Sequence, residues 1–275
     1  MPEMPEVETV RKTLTELVLG KTIEKAKVWY PNIIIGDSES FCNQLKKKKI
    51  IKIDRYAKFL LFRLSDNITI VSHLRMEGKY RLATPHEEKN KHDHVEFIFT
   101  DGTSLRYNDV RKFGRMQLVE TETEKQKTGI KKLGPEALSE GFTLSYFQRA
   151  LRNKKKNIKA VLLDQNVVSG LGNIYADETL WLSKINPERP GNSLSCDEIT
   201  SLYKAINQVI SQAIKAHGTT VHSFLDAEGQ TGGYQKYLKV YGRAGKKCFR
   251  CGATLQKNHI AGRGTTFCPK CQEVK

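Results

Sequence analysis

Two Cys-x2-Cys pairs, Cys248/Cys251 and Cys268/Cys271, stand sixteen residues apart and constrain the fold of this chain more than any other feature. Each pair can offer two thiolates from one tight turn, so the four can surround a zinc ion tetrahedrally, with Gly252 and Pro269 suited to those turns. Four thiolates leave no open coordination position. One structural zinc per chain is therefore expected, holding a small hairpin in shape rather than activating water. Cys42 and Cys196 stand alone and read as ordinary reduced thiols, so the distribution suits a reducing compartment better than a disulfide framework. Between the pairs, QKNHIAGRGTTF sets Arg263 between two glycines at the expected tip of the hairpin. The backbone there can approach a phosphate closely while the guanidinium grips it, although a solvated loop arginine fits the sequence equally well.

A hairpin of this size is a minor part of 275 residues, which leave room for two ordinary domains with their own cores. IIKIDRYAKFLLFRL, NITIVSHLRM and KYRLA read as antiparallel strands with a turn at SDN. HVEFIFT and SLRYNDV, parted around Asp101 and Gly102, give the strongest hairpin signal. The first half is thus β-rich with a helix at its start. TETEKQKTGIKKLGPEAL is polar and punctuated by glycine and proline, which marks a linker. Beyond it, LSYFQRALRN, IKAVLLDQ, NIYADETLWLSK and DEITSLYKAINQVISQAIKAH carry apolar residues at helical spacing, so the class is α+β.

The formal charge of +16 points to a polyanionic partner, because neutralising backbone phosphates releases condensed counterions. With no run of 18 apolar residues and no secretory pattern, a membrane surface is the weaker candidate, and a cytosolic nucleic-acid binder is expected. In LLDQNVVSGLGNIYADE a helix ends, a Gly170-Leu171-Gly172 turn follows, and Asn173 opens the next helix. Such a start can bind a phosphate or simply cap itself. SHLRMEG holds His73 and Met76, and NDVRKFG holds Arg111 and Phe113. An enzyme that extrudes a base needs an apolar wedge and a hydrogen-bonding arginine, whereas single residues of these types are more often core.

The opening MPEMPEVETV sharpens the question of chemistry. Val7, Val10, Leu14, Leu17 and Val18 recur at helical spacing, Pro5 suits a first turn, and Glu6 and Glu8 favour the positive helix end. Pro2 and Glu3 are left unexplained by that pattern. If Met1 is removed, Pro2 becomes a secondary amine beside Glu3, and on this stretch alone two readings stand: an accident of the helix start, which is the commoner case, or a nucleophile.

Taken together, MPEMPEVET, RYAKFLLF, SHLRMEG, NDVRKFG, LDQNVVSGLGNIYADE and AGRGTTFCPKC resemble the formamidopyrimidine-DNA glycosylase family, in unchanged order from residue 2 to about residue 271. The resemblance implies an N-terminal β-sandwich domain over 1–134, a helix-two-turn-helix domain with a lesion-capping loop over 135–237, and a zinc finger over 238–275, with damaged double-stranded DNA bound between the domains. It implies that Pro2 is the nucleophile, Glu3 the acid/base and Lys58, matched through RYAKF, a lysine near the lesion phosphate. Glu6 shapes the same pocket. Asn173 and Arg263 hold phosphates, with His73, Tyr241 and Lys257 as further DNA contacts. Met76, Arg111 and Phe113 enter the duplex, with Arg111 facing the cytosine left behind. The activity implied is removal of 8-oxoguanine and formamidopyrimidines followed by strand cleavage, by a monomer in the bacterial cytosol. Met4 departs from the usual leucine but keeps its apolar volume. Two rivals share much of the pattern: an endonuclease VIII type enzyme for oxidised pyrimidines, and a non-catalytic zinc-containing DNA-binding protein.

Overall fold

A computed structural model describes residues 1–219 and 232–273. They fall into two compact units, Met1–Lys131 with Ala216–Gly233, and Lys132–Lys215 with Tyr234–Lys275. Among the described residues no helix is long and apolar enough to cross a membrane.

In the first unit, helix α1 (Met4–Val18) buries Val7, Val10, Leu14 and Val18 along one stripe. Eight strands follow: β1 (Ile23–Val28), β2 (Ile50–Tyr56), β3 (Phe59–Leu64), β4 (Ile68–His73), β5 (Lys79–Ala83), β6 (Asp93–Phe99), β7 (Ser104–Asn108) and β8 (Arg115–Glu120), with α2 (Ser38–Leu45) between β1 and β2 and the single turn α3 (Glu124–Lys127) after β8. They form two antiparallel four-stranded sheets, ordered β1-β6-β7-β5 and β2-β3-β4-β8. Phe97, Phe99 and Tyr107 of one sheet share a single core with Phe62, Ile70 and Met116 of the other and with Leu14 of α1. That shared core makes the sandwich. The β6–β7 hairpin turns where expected, with Gly102 at φ +84°. Asp66 and Asn67 take positive φ in the β3–β4 turn, a conformation that short polar side chains tolerate.

The second unit contains α4 (Leu144–Leu151), α5 (Ile158–Leu163), α6 (Asn173–Leu182), α7 (Cys196–Lys215) and a two-stranded hairpin of β9 (Gln256–Ile260) and β10 (Arg263–Phe267). The double turn between α5 and α6 is held by Gln165, which accepts Gly170 N–H at 3.0 Å and donates to Leu171 O at 2.8 Å.

By packing the described residues divide in two, beside the three segments 1–134, 135–237 and 238–275 that the resemblance implies. The units part after Lys131, and Ala216–Gly233 goes with the first unit, because Thr219 bonds to the carboxylate of Glu6. The zinc-finger segment does not stand apart from the helices either: Trp181 of α6 packs in one apolar cluster with Val240, Cys248, Leu255 and Cys268. The glycine-rich stretch expected to cap the lesion lies largely at 220–231, outside the described residues.

Candidate active site and nucleic-acid interface

The chain's amino end is a charged pocket built on the start of α1. Glu3 is the N-cap and Glu6 its partner in a reciprocal capping box, with Glu3 N–H donating to Glu6 Oε2 at 2.9 Å. Both acids are 2% exposed, and Pro2 is buried beside them. The helix start therefore accounts for Glu3 as well as Glu6, a correction to the reading that left Glu3 unexplained by it. It also fixes two carboxylates next to the terminal amine. Burial lowers the pKa of the Met1 amine from its ordinary value, with Lys58 acting the same way and Glu3, Glu6 and Glu77 opposing. Lys58 reaches this pocket from the two-residue β2–β3 turn, in which Ala57 has φ +50°. Arg55 secures that turn by donating to Ala57 O at 3.0 Å while pairing with Glu8 of α1 at 2.9 Å.

His73 ends β4 with its ring edge-on to Phe59, 4.5 Å between centroids, and its Nδ1 accepts Arg75 N–H at 3.0 Å. Burial, with Arg75 and Lys58 nearby, pushes its pKa down to about 3. The ring is therefore neutral with its proton on Nε2, and can donate but carries no charge to a phosphate. Met76 follows on a loop closed by Gly78 N–H to Leu74 O at 3.0 Å. Arg111 and Phe113 occupy the loop between β7 and β8, the guanidinium 4.8 Å from the ring and Phe113 48% exposed. Buried Asp109 organises this loop, accepting Arg111 N–H at 3.1 Å and Gly114 N–H at 2.8 Å.

In the second unit, Asn173 is the first residue of α6 and not its cap, which is Gly172. Its Nδ2 donates to Gly264 O at 2.9 Å, while its Oδ1 is buried without a partner among the described residues. Arg263 lies one step past the hairpin tip: Ala261 and Gly262 make a two-residue turn at φ +53° and +71°, and Arg263 pairs with Ile260. The arginine is exposed. Lys257 crosses the same strand pair, its Cε 3.1 Å from where a Gly264 side chain would begin. Asn173, Lys257 and Arg263 are thus gathered around Gly264. Asp177 of α6 anchors the hairpin by accepting Thr266 N–H at 3.1 Å while ion-paired to fully buried Lys159. Glu178 accepts the backbone N–H groups of Lys239, Val240 and Tyr241 at 2.8–2.9 Å, which fixes the chain at Tyr241.

The four cysteine sulfurs Cys248, Cys251, Cys268 and Cys271 all lie within 4.8 Å of one another. A tetrahedron with Zn–S near 2.3 Å has sulfurs roughly 3.8 Å apart, so the donor set fits such an ion. Backbone N–H groups of Arg250 and Cys271 point at Cys248 and Cys268 Sγ at 3.4 and 3.3 Å, and Trp181 Nε1 points at Cys248 Sγ at 3.4 Å. These donors suit sulfurs that carry negative charge.

Several positioning groups escaped the sequence reading: Thr219, Glu77, the Arg55–Glu8 pair, Asp109, Asp177 and Glu178. Thr219 and the Arg55–Glu8 pair act between segments distant in sequence, for which spacing gives no signal. Glu77, Asp109, Asp177 and Glu178 stand inside SHLRMEG, NDVRKFG and LDQNVVSGLGNIYADE and were within reach.

Comparison with known proteins gives a consistent result. Residues 1–116 match the formamidopyrimidine-DNA glycosylase N-terminal domain, residues 133–224 its H2TH domain, and residues 245–274 a zinc finger found in FPG and IleRS. A formamidopyrimidine-DNA glycosylase of Lactobacillus johnsonii is 63% identical over 272 residues, covering 99% of both chains. Wild-type Lactococcus lactis Fpg in complex with an N7-benzyl-Fapy-dG containing DNA superposes with a TM-score of 0.94 at 45% identity, over 99% of this chain and 100% of that one. The same Lactococcus enzyme complexed with an oxidised pyrimidine containing DNA gives 0.93 at 44% identity, over the same shares.

Proposed function

The chain belongs to the formamidopyrimidine-DNA glycosylase family, and from that premise we propose that Pro2, freed of Met1, is its nucleophile and that Glu3 moves the protons. As a member it is a DNA glycosylase with AP lyase activity in base-excision repair of oxidised purines. The observation that carries the residue assignment is buried Pro2, beside buried Glu3, Glu6 and Lys58, at an amino end that also feels the charge of Glu77.

An ordinary α-amino group titrates at roughly 7.7–8.0, so an appreciable fraction of a freed Pro2 amine is neutral near neutral pH. The neutral amine bonds to C1′ of the damaged nucleotide, the glycosidic electron pair leaves with the base, and the proton given up by the nitrogen neutralises the departing base. Glu3 delivers a proton as the sugar ring opens, leaving a cationic iminium between Pro2 and C1′. The iminium withdraws electrons: loss of the C2′ proton expels the phosphate on the 3′ side, and loss of the C4′ proton then expels the phosphate on the 5′ side. Hydrolysis returns the free amine. Lys58, Asn173 and Arg263 hold phosphates around the nucleotide, with His73, Tyr241 and Lys257 as further contacts and Glu6 supporting the pocket. Met76 and Phe113 fill the gap left by the extruded base, and Arg111 bonds to the orphaned cytosine.

One zinc per chain, held by Cys248, Cys251, Cys268 and Cys271, ties together the hairpin that bears Arg263. The protein acts as a monomer on damaged double-stranded DNA in the bacterial cytosol. The relative's complex with an oxidised pyrimidine favours a second lesion class for the same site. Borohydride trapping on duplexes carrying 8-oxoguanine or an oxidised pyrimidine tests the whole reading. A covalent adduct at Pro2, formed faster on 8-oxoguanine, supports it; tight binding without an adduct supports the non-catalytic rival.

A further inference from the structure

Tyr107 and Asp109 connect the two loops that carry Met76, Arg111 and Phe113. Tyr107 is fully buried on β7, its ring edge-on to Tyr80 with centroids 5.2 Å apart. Its hydroxyl occupies the space that side chains would take at two glycines. A Cβ on Gly78 would stand 2.1 Å from Tyr107 Oη, and one on Gly114 would stand 1.7 Å from it. Only glycine lets both backbones come so near, so one phenol rests against the Met76 loop and the Arg111–Phe113 loop together.

The hydrogen bonds run the same way. Tyr107 Oη donates to Asp109 Oδ2 at 3.4 Å, and that oxygen also accepts Gly114 N–H at 2.8 Å. Asp109 Oδ1 accepts Arg111 N–H at 3.1 Å, and the carbonyl of Asp109 meets His94 Nε2 at 2.8 Å. Asp109 is itself fully buried. Burial and the Asp109 carboxylate raise the Tyr107 pKa far above an ordinary tyrosine, which keeps the phenol a donor. A phenylalanine would fill the core as well as Tyr107 does. The hydroxyl and the carboxylate serve the loops.

We propose that Tyr107 and Asp109 are positioning residues that hold Met76, Arg111 and Phe113 in one arrangement ready to enter the duplex. The inference rests on the assignment of those three residues to insertion, given above. Preorganised loops need no further ordering when DNA arrives, so base extrusion is faster than with loops that must find the conformation. Neither Tyr107 nor Asp109 touches the nucleotide in this scheme.

The test compares Tyr107→Phe, Asp109→Asn and Arg111→Ala on two duplexes, one with 8-oxoguanine opposite cytosine and one with a pre-formed abasic site. A 2-aminopurine beside the lesion reports extrusion by stopped-flow fluorescence. Tyr107→Phe and Asp109→Asn are expected to slow extrusion and single-turnover base excision about tenfold, the scale of one lost hydrogen bond, with abasic-site cleavage down by less than about threefold. A purely structural role would instead lower both activities together, in step with the melting temperature, and would overturn the proposal. Tyr107→Phe keeps the buried ring and so decides the matter even if Asp109→Asn does not fold. Normal extrusion in Tyr107→Phe beside slow extrusion in Arg111→Ala overturns the proposal alone. Normal extrusion in Arg111→Ala removes the insertion reading, and this inference with it.

Discussion

Glu6 and Thr219, 213 positions apart, are joined through one carboxylate oxygen: Glu6 Oε1 accepts the backbone N–H of Thr219 at 2.8 Å and its hydroxyl at 3.3 Å. The other oxygen accepts Glu3 N–H. A single buried carboxylate thus ties Glu3 to the segment that follows α7. Gly218 makes this possible, since its φ is +72° and a side chain there would start 2.7 Å from Glu6 Oε1.

Glu6→Ala removes the carboxylate that accepts the Glu3 and Thr219 N–H groups, and an expected loss of roughly 2–6 kcal/mol follows from about 1–3 kcal/mol for each such group. Glu6→Gln keeps one acceptor oxygen and should cost about half as much. Chemical denaturation measures both. Equal stability of Glu6→Ala and the parent would show that something other than this carboxylate holds Thr219.

His73 gives the fold a pH dependence. Its pKa is about 3 in the folded chain against 6.5 as the ordinary value, so below pH 6.5 the unfolded chain takes up a proton that the folded one refuses. Stability therefore falls as pH drops, and the slope is about 1.4 kcal/mol per pH unit for one group. Between pH 6.5 and 4.5 His73 should remove about 2–3 kcal/mol. His73→Asn should flatten that part of the stability profile; an unchanged slope would assign it to other groups.

The parts of the molecule legible in the sequence are those fixed by local chemistry. The cysteine spacing gave the four-sulfur cluster and its hairpin, alternation around Asp101-Gly102 gave β6–β7, and the Pro-Glu opening drew attention to Pro2, which the structure buries beside Glu3 and Glu6. Where local rules were pushed to finer detail they slipped. Glycines on both sides of Arg263 suggested a tip, yet the two-residue turn takes Ala261 and Gly262, and the register then makes Arg263 a strand residue. Asn173 reads as a cap, yet its side chain is turned to Gly264 O on a strand ninety-one positions away. Tertiary contacts of this kind decide the site, and spacing does not encode them.

Zinc removal is expected to act on the hairpin and not on the chemistry. Chelation, or Cys268→Ser, should release β9 and β10 and with them Arg263 and Lys257, abolishing cleavage of lesion DNA while the β-sandwich stays folded. Metal analysis should return one zinc per chain, and circular dichroism should show the sandwich retained. Full activity in metal-free protein would sever the hairpin from function.

The positive charge should appear as salt dependence. About six phosphate contacts give a slope of roughly −5 in log K against log salt. Arg263→Ala should weaken binding on every duplex and make that slope shallower by about one. Affinity that does not change between low and moderate salt would sink the electrostatic account.

Met1 decides whether chemistry occurs at all. With Met1 in place the Pro2 nitrogen is an amide whose lone pair is delocalised into the carbonyl, and it can neither attack C1′ nor form an iminium. Active protein should show an intact mass lacking one methionine residue. Protein that retains Met1 should still bind lesion DNA through Lys58, Asn173 and Arg263 yet give no borohydride-trapped adduct. In the processed form the Pro2 amine stands on a buried residue beside Lys58, and burial should hold its pKa below the ordinary α-amino value of roughly 7.7–8.0 against the opposing pull of the acids. Because the neutral form attacks, trapping should accelerate with pH and level off above that lowered pKa. Glu3→Gln should lose base excision more than cleavage of a pre-formed abasic site, since the open-chain sugar needs no help with departure of a base. Full trapping by the Met1-retaining form would move the nucleophile to another amine, with Lys58 of the same pocket the first to examine.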